Sequence, residues 1–217
     1  MAFIDYLRNL KKTKNAPIKD AEKIAYLPTF SDEDLGLFWT RVTNENLSEN
    51  EKYFEQMSTW SNSMGVKRFI ASKTPINEIF REYVVSEKPA SMVGKNNLYF
   101  CFDDNASFLG LAYMSSPMGN SSYSTLEYII VNPEFQGKGI GTRMVKSIST
   151  YMDYFNNGNQ SGGIISSVEV ENIASSRAFL KNNYKVVSAN TSDTGREYNV
   201  YYLSARKNVL HTDGIVG

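Results

Sequence analysis

Between Leu126 and Ile148 the chain carries a short apolar run, a loop with glycines at alternate positions and the start of an amphipathic helix. Leu126-Glu-Tyr-Ile-Ile-Val131 leads through Asn132-Pro-Glu-Phe135 into Gln136-Gly-Lys-Gly-Ile-Gly141, after which Met144, Val145 and Ile148 fall at helical spacing. A turn without side chains lets a ligand come close to the backbone. The unpaired amides and dipole of a helix start then offer a place for phosphate oxygens. The chemistry this points to is anion binding, although the same glycines would also serve a tight turn that binds nothing. A Walker loop is excluded by spacing, because Lys138 comes before the last two glycines. A dinucleotide fingerprint is disfavoured as well, since the loop lies past the middle of the chain and follows what reads as an antiparallel hairpin.

Other reactive side chains are sparse. The only histidine, His211, lies in the final residues, which speaks against a serine or cysteine triad, and with one histidine and one cysteine an ordinary zinc site is not expected. Cys101 sits in the apolar run Leu98-Tyr-Phe-Cys-Phe102 and reads as a buried core thiol in a reducing compartment. Glu127 is the exception: a carboxylate flanked by apolar residues in a strand needs a partner or a task. Lysine and arginine balance aspartate and glutamate at 23 each, so no overall field recruits nucleic acid or an anionic membrane. Without a run near the roughly 20 apolar residues of a membrane span, and without a signal-peptide core, a cytoplasmic location is the default expectation. Neither a nucleic acid nor a membrane is expected as partner.

The elements that must position the loop follow from periodicity. Residues 1–23 are lysine-rich and place Phe3, Ile4, Leu7 and Leu10 at helical spacing, an amphipathic arm expected to dock on its own domain. Ser31 before Asp32, Glu33 and Asp34 suggests a capped helix with Leu35, Phe38, Trp39 and Val42 on one face. A second helix is expected from Ser48 through Met57, a strand at Val66–Ala71, and a helix after Thr74-Pro75 that buries Ile76, Ile79, Phe80 and Tyr83. Beyond Gly94 short apolar runs predict strands at 98–102, 108–114 and 126–131, the first two as a hairpin. A helix over 139–155, a strand over 164–170, a helix over 173–182 and strands near 185–189 and 198–204 complete the series.

Gln136-Gly-Lys-Gly-Ile-Gly141 resembles, residue for residue, the Gln/Arg-x-x-Gly-x-Gly/Ala signature of the GNAT acyltransferase superfamily, and Asn172, Ser175, Phe179, Lys181 and Tyr184 resemble its second, downstream pattern. The resemblance spans residues 66–205. It implies an α/β (α+β) fold with a central mixed, mostly antiparallel twisted sheet of six to seven strands flanked by helices. Residues 1–65 would then be a helical extension and 206–217 a tail. It further implies acetyl-CoA as cosubstrate, no metal, and direct attack of an amine on the thioester in a ternary complex. The amides of Gln136, Gly137, Lys138, Gly139, Ile140, Gly141 and Thr142 would take the pyrophosphate. Ile129, Ile130 and Val131, at the end of the family's bulged fourth strand, would align the pantetheine. Asn172, Ser175 and Phe179 would line its other side, and Glu127 would be the base. Phe179 departs from the pattern, because many relatives place an acidic tyrosine there; Tyr184 and Tyr128 are the substitutes considered. Asn183 stands in place of the usual glycine. The acceptor amine is not legible: polyamine, amino acid, antibiotic and peptide all fit. A non-catalytic protein that binds acyl-CoA or a protein partner is the rival reading, and a homodimer built through the extension fits either.

Overall fold

The computed structural model describes residues 29–60, 63, 66, 74–86, 96–115, 123–156 and 162–204. The arm at 1–23, the tail from 205 onward with His211, and all of the strand expected at Val66–Ala71 except Val66 lie outside them. In chain order the elements are β1 (Phe30–Asp32), a 3-10 turn (Glu33–Leu35), β2 (Leu37–Val42), a second 3-10 turn (Asn44–Asn46), α1 (Leu47–Trp60) and α2 (Ile76–Val85). They continue with β3 (Asn96–Phe102), β4 (Phe108–Ser115), β5 (Tyr123–Val131), a third 3-10 turn (Pro133–Phe135), α3 (Ile140–Asn156), β6 (Gly163–Glu169), α4 (Ile173–Lys181), β7 (Lys185–Thr191) and β8 (Glu197–Ser204).

The strands form one sheet in the order β1-β2-β3-β4-β5-β6-β8-β7, eight strands where six to seven were expected. Every neighbouring pair is antiparallel except β5 and β6. The two additional strands, β1 and β2, come from a segment expected to be helical. Only its capped turn is real: the Asp32 carboxylate accepts from the Leu35 amide at 3.2 Å, and the turn closes at Gly36. Beyond it the side chains alternate, Leu37 and Trp39 entering the core on one face of the sheet and Phe38 and Val42 the core on the other. Both faces of β2 are buried, so its apolar residues also satisfy a helical stripe. The sheet therefore takes in residues that the sequence placed in the extension.

Because each inner strand alternates, the sheet divides the apolar residues into two cores. On one face Trp39, Cys101, Leu109, Leu126 and Ile164 pack with Met144, Val145 and Ile148 of α3 and Phe179 of α4. On the other, Phe100, Phe108, Leu111, Tyr113 and Ile130 pack with Phe54 and Met57 of α1 and Ile76, Phe80 and Val84 of α2. In α2, Val84 is buried where Tyr83 was expected, and Tyr83 stays 37% exposed. Cys101 is fully buried, and burial pushes its thiol well above the usual range, as befits a core residue. The first strands are bound to α3 by polar contacts: Trp39 Nε1 donates to Ser147 Oγ at 3.0 Å, and the Arg143 guanidinium to the Leu35 carbonyl at 2.9 Å.

Candidate functional site

The parallel pair β5–β6 is in register only at Tyr123–Gly163, Ser124–Ile164 and Thr125–Ile165. Both strands then continue, β5 to Val131 and β6 to Glu169, without pairing to each other, so the sheet splits into a V. Ser166 sits at the fork. Its buried hydroxyl donates to the Leu126 carbonyl at 2.7 Å, a side-chain bond where the ladder between the two backbones has ended. On its other side β5 pairs regularly with β4 from Tyr128 to Val131. The register slips between Tyr113–Tyr128 and Met114–Leu126, which leaves Glu127 as the extra residue of a bulge. The family resemblance implied a bulge at the end of the strand near Val131; in this chain it lies four residues earlier, and the ladder at Val131 is intact.

From the end of β5 the chain turns directly into the glycine loop. Asn132, buried, fixes the turn: its side-chain amide donates to the Phe108 carbonyl at 3.0 Å, and its oxygen accepts from the Glu134 amide at 3.1 Å. The Gln136 side-chain amide reaches back to the Val131 carbonyl at 3.0 Å, and Lys138 Nζ donates to the Glu134 carbonyl at 3.0 Å while lying 5.4 Å from the Phe135 ring. Both polar side chains bond back to the backbone that leads into the loop. Gly139 has φ +78°, and no protein atom stands within 4 Å of where its Cβ would be; the same holds at Gly137. The backbone here is bare toward solvent at the first turn of α3, as a close-lying diphosphate requires. Ile140 anchors the helix in the core, Gly141 lies against Val131, and the Thr142 carbonyl accepts from Asn182 of the α4 cap at 2.9 Å.

The opposite arm of the V is β6 and the start of α4. The Asn172 side chain caps α4, accepting from the Ser175 amide at 3.1 Å. Phe179 is committed to the core, edge-to-face with Tyr184 at 4.9 Å and 5.6 Å from Tyr201. Tyr184 is no candidate acid: its hydroxyl is buried and bonded to Ser149 Oγ at 2.7 Å, and burial raises it above the usual phenol range. Tyr184→Phe should therefore lower stability by about 1 kcal/mol, read by denaturant unfolding, and leave any turnover unchanged. Asn183 adopts φ 65°, the conformation expected of the residue that replaces glycine.

Glu127 is exposed, so the cost of burying a carboxylate is not incurred; the bulge turns it to solvent. Ile130 points into the core beside α1 and α2, so toward the V it offers only backbone, whereas Ile129 and Val131 are partly buried against the α3 side. Sequence reasoning missed Ser166, which belongs to no motif, and Asn132, whose Asn-Pro dipeptide is a turn signal. Among the described residues no group of three or more His, Cys, Asp or Glu could hold a metal ion, and no helix is long and apolar enough to cross a membrane.

No curated protein matches the chain in sequence. Solved structures share its fold at low identity. A GNAT-family protein from Desulfovibrio desulfuricans superposes with TM-score 0.57 at 12% identity, covering 78% of this chain and 99% of that one. An N-acetyltransferase from Staphylococcus aureus gives 0.55 at 12% identity over 78% and 97%. A spermidine N-acetyltransferase from Vibrio cholerae, in complex with CoA and spermine, gives 0.53 at 14% identity over 78% and 96%. The model of the acetyltransferase (GNAT) domain matches residues 16–185, which include all but the last two strands, and the chain belongs to the GNAT acetyltransferase family.

Proposed function

We propose that the chain is an N-acetyltransferase that moves the acetyl group of acetyl-CoA to a primary amine of a small molecule or peptide, by direct attack in a ternary complex. The observation that carries this reading is the conjunction of an open V in the sheet with a bare-backboned loop at the head of α3. Acetyl-CoA supplies the activated acyl group. The amides of Gln136 to Thr142 hold its diphosphate, the backbone of Ile129 to Val131 aligns its pantetheine, and Asn172 and Ser175 bound it from the α4 side. Glu127, exposed on the bulge, takes the proton from the amine directly or through a water. Tyr128, its neighbour, is raised by burial first and then by Tyr83 and Glu127. The shift makes it a weaker acid, but it is protonated at neutral pH like any phenol, and the leaving thiolate asks little of an acid, so Tyr128 is the proposed donor.

Calorimetric titration with acetyl-CoA and with desulfo-CoA, followed by a free-thiol release assay on a panel of amines, tests the reading. Binding with amine-dependent release supports the transferase. Binding without release on any amine favours a ligand-binding protein, and the absence of binding removes the proposal. Glu127→Gln should lower turnover by about 100-fold at unchanged acetyl-CoA affinity; equal rates would take the role of base away from it.

A further inference from the structure

On the face of the sheet that carries α1 and α2, a group of tyrosines gathers beside the bulge. Tyr113 of β4 stands opposite Tyr128 of β5, with ring centroids 6.2 Å apart. Tyr83 of α2 stacks on Tyr113 at 4.8 Å and 18°, and Phe80 closes the group from within, 5.8 Å from Tyr113 and 5.5 Å from Tyr128. The group runs from core to surface: Tyr113 is 3% exposed and Tyr83 37%. Glu127, the extra residue next to Tyr128, is exposed and near enough to act electrostatically on both Tyr113 and Tyr128.

Packed tyrosines ordinarily find partners for their hydroxyls. Among the described residues the hydroxyls of Tyr83, Tyr113 and Tyr128 and the Glu127 carboxylate bond to no protein group, and none of them is a buried unsatisfied atom, so all four are left to solvent or a ligand. Burial, then Glu127, Tyr83 and Tyr128 in that order, raise Tyr113 above the usual phenol range. The charge belonging to the group is then the negative one of Glu127. No base on α2 offsets it, because Arg81 is paired with Glu51, while Glu78 and Glu82 have no ion-pair partner among the described residues. Ring faces, hydroxyl oxygens and a carboxylate are all complementary to the positive charge of an organic ammonium ion, whether or not it carries N–H donors. A zwitterion would set its own carboxylate against Glu127.

We infer that Tyr83, Tyr113 and Tyr128 together with Glu127 form a receptor for an alkylammonium ion, which makes the acceptor an aliphatic amine, cationic at neutral pH, rather than a free amino acid or an acidic peptide. The inference rests on the transferase reading and narrows its acceptor.

The test is a calorimetric titration of the full chain with tetramethylammonium and n-butyltrimethylammonium chloride, against sodium chloride at equal ionic strength. These cations can bind but cannot be acetylated. Saturable binding is expected, weakened about 10-fold in Tyr83→Ala and kept within about 3-fold in Tyr83→Phe, which retains the ring; thermal melting confirms that both variants are folded. In thiol release, Tyr83→Ala should raise the KM for n-butylamine by a similar factor at an unaltered kcat, with n-butylamine preferred to glycine by the parent chain. Absence of saturable binding, or a folded Tyr83→Ala that binds and turns over like the parent, overturns the receptor while leaving the transferase standing. If no amine releases thiol, the transferase reading falls and the quaternary ammonium titration alone decides for or against the receptor.

Discussion

Gly110→Ala is expected to destabilise the chain by about 3 kcal/mol or more, enough to leave much of it unfolded at physiological temperature if its stability is ordinary. Gly110 lies in β4, opposite Val131 of β5, with φ +151°. A Cβ built there stands 2.1 Å from the Ile130 carbonyl oxygen and 3.1 Å from the Val131 Cα. Both atoms are backbone, so no rotamer change relieves the contact; either the strands move apart or the residue leaves its conformation. The strand that would have to yield is the one that carries the glycine loop, so Gly110→Ala should also weaken acetyl-CoA binding in whatever fraction still folds. Denaturant unfolding monitored by tryptophan fluorescence measures the first effect, since Trp39 and Trp60 are both buried. A midpoint unchanged from the parent would mean that β4 and β5 are not in such close contact.

Gly139→Val separates binding from folding in the opposite sense. With open space around the would-be Cβ, the main cost to stability is that of holding a branched residue at φ +78°, about 1–3 kcal/mol. Its isopropyl group would stand over the amides at the head of α3, where the diphosphate is proposed to lie. Acetyl-CoA affinity should fall by about 100-fold or more, since several charge-assisted hydrogen bonds are blocked together. Calorimetric titration of the folded variant gives the answer: parent-like affinity would mean that the loop is a tight turn and not a phosphate cradle.

These two glycines show how unevenly the site was legible. Gly139 belongs to a local motif of strand, loop and helix, and the three elements are found where the apolar runs placed them, α3 at 140–156 and β5 ending at Val131. Gly110 lies mid-strand in an apolar run, and its constraint comes from a backbone about twenty residues further along the chain. The bulge at Glu127 was hidden for a similar reason. Leu126 and Tyr128, two residues apart, should share a face of a regular strand, yet Leu126 enters the core beneath α3 and Tyr128 packs on the other side. Only the mismatch with β4 reveals the extra residue. Residues 37–42 were misread because a strand buried on both faces leaves no polar side from which to count its period, and the turn before them carries true helix-capping signals. The tyrosine group could not be read from sequence, since Tyr83 on α2 and Tyr113 on β4 lie far apart in the chain and no local periodicity pairs them.

The fork at Ser166 has a consequence for the resting protein. Beyond it β5 has a partner on one side only, so the middle of the sheet contains an edge strand, with backbone groups of the kind that recruit stray chains and seed aggregation. Here the edge lies inside the sheet, because β6, the next strand, continues to Glu169 beside it. The amides of Glu127 to Val131 that do not donate to β4 should therefore exchange with deuterium more readily than those of β3 or β4. They should become protected when acetyl-CoA is added, and that protection would register the ligand as the missing strand.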